Sequence, residues 1–401
     1  MLKVTSFRYL SVIHTRYCYS LLLNNGCTLQ QRNNSSSFKT EQFSEYLKNS
    51  FETGSYENRT IEKLFNGICS KQRSSLAEAI TLVESNHEVK KKMSQVLLQL
   101  VLQKVKTDGS NEKLKRLVPS CVSSSLRIGI TGPPGAGKSM FIEKFGMYLT
   151  RDVGLKVAVL AVDPSSKRTG GSLLGDKTRM SMLSVEPNAY VRPSPSSGEL
   201  GGVARNTMEA IQLCEGAGYD VIIVETVGVG QSEVAVGDMT DIFTLIIPPA
   251  GGDELQGLKR GIIENCDIIM VNKSDGDLII PARKIQTEYT SALKFIPRKH
   301  KVWRPRVTRI SALTNTGIAE SWKTMMSLFE VLNSSGIFLQ QRRDQTRAWM
   351  WSHLRNSLEE RFKNNPLVQT NLPDIMDGIE KGEIPPGLAS DILVDLTFNK
   401  D

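Results

Sequence analysis

Eight residues, Gly132-Pro133-Pro134-Gly135-Ala136-Gly137-Lys138-Ser139, leave the chain little choice of local fold. They follow an apolar run, Leu126 to Thr131, and precede the helix-like stretch Met140 to Leu149. The chain therefore passes from strand through a tight loop into a helix, the context in which a Walker A sequence holds phosphate. Its glycines let backbone N–H groups turn toward phosphate oxygens with no side chain in the way. Lys138 is expected to reach the β and γ phosphates and Ser139 to ligate Mg2+, with the positive end of the following helix adding to the attraction.

A second motif selects the base. Asn272-Lys273-Ser274-Asp275 follows the apolar strand pattern Asp267 to Val271. A carboxylate at the position of Asp275 can accept both the N1–H and the exocyclic amine of guanine, a donor pair that adenine lacks. GTP and GDP are therefore expected rather than ATP, with Asn272, Lys273 and Asp275 on the base side. Ser311-Ala312-Leu313, after the strand-like Arg306 to Ile310, resembles a third base-side element whose backbone contacts the guanine oxygen.

Short apolar runs recur between helix-length segments: Leu126 to Thr131, Lys156 to Val162, Asp220 to Glu225, Asp241 to Ile247, Asp267 to Val271 and Arg306 to Ile310. Near-continuous Val and Ile runs suit strands buried on both faces. Their alternation with helices predicts an α/β fold, a doubly wound, mostly parallel sheet with ligands at the carboxyl ends of its strands. Residues 41–120 read as a helical region, in which Ser75-Leu76-Ala77-Glu78 has the form of a capping box and Leu76, Ile80 and Val83 recur at helical spacing. The nucleotide domain is placed at 121–330. Residues 331–401 return to helix, and Trp349, Met350, Trp351, Leu354 and Leu358 read as core, followed by a Pro-interrupted tail.

The chain has 401 residues, 40% hydrophobic and 23% charged, as expected of a soluble globular protein. No uninterrupted apolar stretch reaches about 18 residues, so no membrane insertion is expected. Of the net charge of +8, residues 1–40 hold five basic residues, Lys3, Arg8, Arg16, Arg32 and Lys39, and no acidic one. The basic balance thus belongs mostly to a leader and gives no reason to expect nucleic acid as a partner. That leader, rich in Ser and Thr, looks like a mitochondrial presequence. Six scattered cysteines form no Cys-x-x-Cys pair, which indicates small neutral residues rather than a zinc site or a disulfide framework.

Hydrolysis needs a bound metal, a positioned water and neutralisation of charge on the phosphate in transfer. Asp163, Asp176 and Glu225 each lie where a metal-organising carboxylate could stand, and Gly228 could donate its N–H to the γ phosphate. Val229 occupies the place where Ras-type proteins carry a water-orienting glutamine. An apolar side chain cannot do that, so slow intrinsic turnover is expected, with help from a partner or from Gln231, Gln256 or Lys259.

Taken together, these residues resemble the SIMIBI class of P-loop GTPases, and within it the subfamily of the bacterial mutase chaperone MeaB, once described as arginine/ornithine transport ATPases, with its mitochondrial members. Asp163-Pro164-Ser165-Ser166, Gly170 to Met180, Glu225 to Glu233 and Asp253 to Gly261 look like that subfamily's segments, and the likeness runs from about residue 60 to 400. The resemblance implies a homodimer in the mitochondrial matrix, dimerising through its C-terminal helices. It implies methylmalonyl-CoA mutase as partner, whose adenosylcobalamin loading is gated and whose damaged cofactor is replaced. It also implies that Gln256 and Lys259 act in partner-stimulated hydrolysis, with Lys138 and Glu225 completing the catalytic set. No Asp-x-His-x-x-Gly sequence occurs, so adenosylcobalamin is expected only on the partner. Two rivals remain: a metallochaperone GTPase, which the four unclustered histidines disfavour, and a GTP-dependent kinase, which lacks a recognisable acceptor-activating site.

Overall fold

The computed structural model describes residues 51–52, 54–162, 180–194, 200–226, 232–249 and 260–398. Seven strands, β1 (Leu126–Thr131), β2 (Val157–Val162), β3 (Ala189–Ser194), β4 (Val221–Thr226), β5 (Ile242–Ile247), β6 (Ile268–Val271) and β7 (Arg306–Arg309), make one sheet. Every neighbouring pair is parallel, in the order β3-β2-β4-β1-β5-β6-β7. All residues of β1, β2, β4, β5 and β6 are buried, which is why they read as continuous apolar runs. Six of the seven strands follow the sequence pattern. β3 does not, because Ala-Tyr-Val-Arg-Pro-Ser carries an arginine and a proline; at the sheet's edge, Pro193 costs no ladder hydrogen bond to a further strand.

β1 lies between β4 and β5, so the loop leaving its carboxyl end emerges where the sheet's connections diverge to the two sides. At the opposite end of the sheet an aspartate precedes each of β4, β5 and β6. Asp220 accepts Lys156 N–H at 2.7 Å, Asp241 accepts Arg127 N–H at 2.8 Å, and Asp267 accepts Phe243 N–H at 2.9 Å. Each also holds a cation, respectively Lys113, Arg342 and Lys299. These buried carboxylates thus staple neighbouring strands together and anchor the segments that flank the sheet.

The N-terminal helices are α1 (Tyr56–Cys69), α2 (Arg73–Val83), α3 (Glu88–Asp108) and α4 (Glu112–Leu117). Leu76, Ile80 and Val83 are buried as their spacing predicts. The capping box is not formed. The chain turns at Lys71, φ 60°, so α2 starts at Arg73 with Gln72 at its N-cap. Ser75 lies inside the helix and donates to Gln72 Oε1, while Glu78 pairs with Lys63.

Then come α5 (Lys138–Arg151), α6 (Ser181–Val185), α7 (Leu200–Gly216), α8 (Ser232–Gly237), α9 (Arg260–Asn265), α10 (Ile279–Ala292) and α11 (Ile318–Ser334). A C-terminal arm follows: α12 (Ile337–Lys363), α13 (Pro366–Glu380) and α14 (Pro386–Phe398). Of the arm residues read as core, Met350, Trp351, Leu354 and Leu358 are exposed. Helical spacing defined their stripe but not what covers it, since α12 runs well past its anchor on the sheet. Among the described residues no helix is long and apolar enough to cross a membrane.

Candidate nucleotide site

The loop between β1 and α5 is built as the sequence predicts. Gly132 adopts φ 149°, and a Cβ there would lie 1.9 Å from the Ile246 carbonyl oxygen of β5, so the loop leaves the sheet only because no side chain is present. Gly137, at φ 87°, is the left-handed N-cap of α5, and a Cβ on it would meet Asn272 Nδ2 at 2.5 Å. The helix amides beyond it face the loop, giving an anion-binding end. Lys138 is buried, and its Nζ donates to the carbonyls of Gly132 at 2.7 Å and Pro133 at 3.1 Å. The lysine thereby lies folded along the rim of its own loop.

Ser139 Oγ donates to Glu225 Oε1 at 2.9 Å. Glu225 is near the end of β4, beside β1, and is only 4% exposed. Beneath this pair Thr226 Oγ1 donates to Thr131 Oγ1 at 2.9 Å, and both threonines are fully buried. Sequence reasoning missed these threonines; a hydroxyl ending an otherwise apolar strand was the available signal.

On the base side, the Asn272 amide joins two loops. Its Nδ2 donates to Ala136 O at 2.8 Å, and its Oδ1 accepts Ala312 N–H at 3.1 Å. Asp275 accepts a hydrogen bond from Ser311 Oγ at 2.6 Å, and Ser274 N–H donates to Ile310 O. Lys273 takes a left-handed φ of 58°, which turns the chain between these anchors. Leu313 is exposed beside them. Gly132 to Ser139, Glu225, Asn272, Lys273, Asp275 and Ser311 to Leu313 thus gather at the carboxyl ends of β1, β4, β6 and β7. Asp163, Asp176, Gly228, Gln231, Gln256 and Lys259 lie outside the described residues. Among the described residues, no three of His, Cys, Asp and Glu come together as a metal cluster. Cys121, Cys214 and Cys266 are buried, and desolvation pushes the thiols of Cys121 and Cys214 up, as suits inert core residues.

Known proteins resemble this chain over most of its length. "Methylmalonic aciduria type A homolog, mitochondrial" of Mus musculus is 52% identical over 338 residues, 84% of this chain and 80% of that protein. "GTPase ArgK" of Escherichia coli is 46% identical over 306 residues, 76% of this chain and 86% of its own length. A crystal structure described as "LAO/AO transport system kinase" superposes with a TM-score of 0.64 at 34% identity, over 84% of this chain and 97% of that one. Residues 76–367 match the family model "Methylmalonyl Co-A mutase-associated GTPase MeaB", and with the phosphate loop and its base-side partners in place, the chain belongs to the MeaB family of P-loop GTPases.

Proposed function

We propose that this GTPase is a chaperone of methylmalonyl-CoA mutase that couples GTP hydrolysis to adenosylcobalamin loading and to protection or reactivation of the mutase. The observation that carries the nucleotide half is the Asn272 bridge, which sets the base-side carboxylate Asp275 in a fixed relation to the phosphate loop. The mutase half rests on the family description and on the mitochondrial relatives. Adenosylcobalamin is held by the partner.

In this reading Asp275 accepts the two guanine donors while Ser311 fixes its carboxylate. Ala312 and Leu313 present backbone to the guanine oxygen. Asn272 reads guanine beside Asp275, and its amide also holds the two loops together. Loop amides from Gly132 to Ser139 bind the β and γ phosphates, and the Lys138 ammonium exchanges its two carbonyl partners for phosphate oxygens. Ser139 and Glu225 make an all-oxygen pair, the donor chemistry that suits Mg2+, with Asp163 and Asp176 as further candidates. Mg2+ held there would neutralise negative charge on the β and γ phosphates. Gly228 would sense the γ phosphate, and Gln256 and Lys259 would act when the partner is bound.

Val229 offers no group to orient water, so turnover alone is slow. The exposed Met350, Trp351, Leu354 and Leu358 support an arm that dimerises. The basic leader and the mitochondrial relatives support a matrix location.

The test is GTP hydrolysis with and without purified methylmalonyl-CoA mutase. Stimulation of about tenfold or more, abolished by Lys138→Ala, is expected of a mutase-coupled GTPase. Absence of both stimulation and co-elution would leave a MeaB-family GTPase with another client.

A further inference from the structure

Residues 289–319 contain seven lysines and arginines and no acidic residue, a concentration of charge that nucleotide binding does not use. Within it the loop between α10 and β7 has an inside and an outside. Inward, Trp303 is buried with Nε1 donating to Asp267 O at 3.0 Å, and Lys299 Nζ donates to Asp267 Oδ2 at 2.9 Å. Trp303 N–H also donates to His300 O, and Arg306 stacks over the Trp303 ring at 4.7 Å. Outward stand Lys294, Arg298, Lys301, Arg304 and Arg306, all exposed. Phe295 is 86% exposed among them, with Val302 at 47%. A charge run is ordinarily a solvated face, but a solvated face has no reason to hold an aromatic ring in water on a loop pinned from within.

We propose that this loop is a docking surface for an anionic phospholipid bilayer, its exposed cations meeting headgroup phosphates while Phe295 enters the boundary beneath them. Charge complementarity and an apolar wedge are the two requirements of such a surface, and both occur on one anchored loop. A fluid headgroup layer satisfies cations at any spacing, so no preformed pocket is needed. Residues 294–306 include no Ser, Thr, Asn or Gln, so the loop lacks the amide side chains that pair with adenine and the hydroxyls that supplement base contacts. The loop is anchored at the amino end of β6, roughly 13 Å of strand away from the Asn272 end, so docking leaves the nucleotide site accessible. The proposal does not depend on the mutase reading.

The test is co-sedimentation of the full chain with phosphatidylcholine vesicles, with and without cardiolipin. Three variants accompany it: Arg298→Ser/Lys301→Ser/Arg304→Ser, Phe295→Ser, and a leader control, Lys3→Ser/Arg8→Ser/Arg16→Ser. We expect sedimentation with cardiolipin vesicles only, retained by the leader control and weakened by roughly fivefold per loop cation removed. Phe295→Ser should weaken it as well, and GTP hydrolysis should be unchanged in all three, showing that they fold. The proposal is overturned if the parent does not sediment, if the loop variants sediment like the parent, or if only the leader variant loses binding. Capture of an RNA homopolymer or an acidic protein without vesicle binding would equally overturn it.

Discussion

Arg342 grips Asp241 through two hydrogen bonds, Nε to Oδ1 at 2.8 Å and Nη2 to Oδ2 at 2.7 Å. The same carboxylate accepts Arg127 N–H, and Arg127 in turn holds Glu215 with two bonds of 2.9 Å. One connected network therefore joins the first turns of the C-terminal arm to α7, to the start of β5, and to β1, the strand that delivers the phosphate loop. Arg342 also stacks over Phe338 at 4.7 Å and donates to Ser125 O. The arm is bonded to the frame of the nucleotide domain, at the opposite end of the sheet from the phosphate loop.

Replacing Arg342 with leucine should leave the fully buried Asp241 without its cation. Removing one partner of a buried pair costs about 3–5 kcal/mol. Arg342→Lys should recover only part of this, because an ammonium cannot make the fork-like double contact. Urea denaturation of the three proteins checks the order; equal midpoints for Arg342→Leu and the parent would remove the network from the account of stability.

Glu215 makes the same network sensitive to acid. Burial alone would raise its carboxyl, but the Arg127 and Arg342 guanidiniums, with hydrogen bonds from Arg127 and Ser125, outweigh burial and hold it at about 2. A group whose folded value is depressed stabilises the fold above the ordinary carboxylate range and loses that contribution as pH falls toward the folded value. Stability should therefore drop by on the order of 3 kcal/mol between about pH 4.5 and 2 on account of this group alone. The check is urea denaturation against pH for the parent and Glu215→Gln. An equally steep acid slope in the glutamine variant would assign the loss to other carboxylates.

Much of the fold could be read from the chain because its strands announce themselves: five of the seven are fully buried, and burial on both faces forces unbroken Val and Ile runs. β3 escaped because an edge strand tolerates Arg192 and Pro193. Arg192 instead reaches the N-terminal helices, donating to Ala77 O at 3.2 Å and pairing with Glu84. The phosphate loop was legible because its glycines answer backbone constraints that act within a few residues. The Asn272 bond to Ala136 and the Thr131–Thr226 pair were not, since they join residues 136 and 95 positions apart and depend on strand order. The arm's exposed apolar stripe shows the same limit from the other side: spacing specifies a face, and only tertiary structure says whether anything lies on it.

Gly137→Ala should weaken nucleotide binding without unfolding the sheet. Its φ of 87° is costly for any residue with a Cβ, and that Cβ would meet Asn272 Nδ2 at 2.5 Å. Strain of about 1–3 kcal/mol would be relieved by moving the loop or the amide, and either movement breaks the bridge to Ala136 O. Titration with a fluorescent GDP analogue should show affinity reduced by roughly tenfold to a hundredfold while the thermal midpoint shifts little. An unchanged affinity would mean that the loop rearranges freely when nucleotide enters.

Asp275→Asn tests base selection most directly. The carboxylate offers two acceptor oxygens, one of which takes the Ser311 hydroxyl at 2.6 Å. The guanine edge presents two donors, N1–H and the exocyclic amine, and an amide can accept at only one of its two terminal atoms. Its NH2 group would face a donor and leave it unpaired, which costs about 1–3 kcal/mol. GDP affinity should fall by roughly tenfold to a hundredfold. Affinity for xanthosine diphosphate, whose C2 carbonyl accepts where guanine donates, should rise. Competition binding with the two nucleotides separates this from general damage, because a damaged site would weaken both. If the asparagine protein still prefers GDP by the parental margin, Asp275 does not read the base and the Ser311 contact is only a loop anchor.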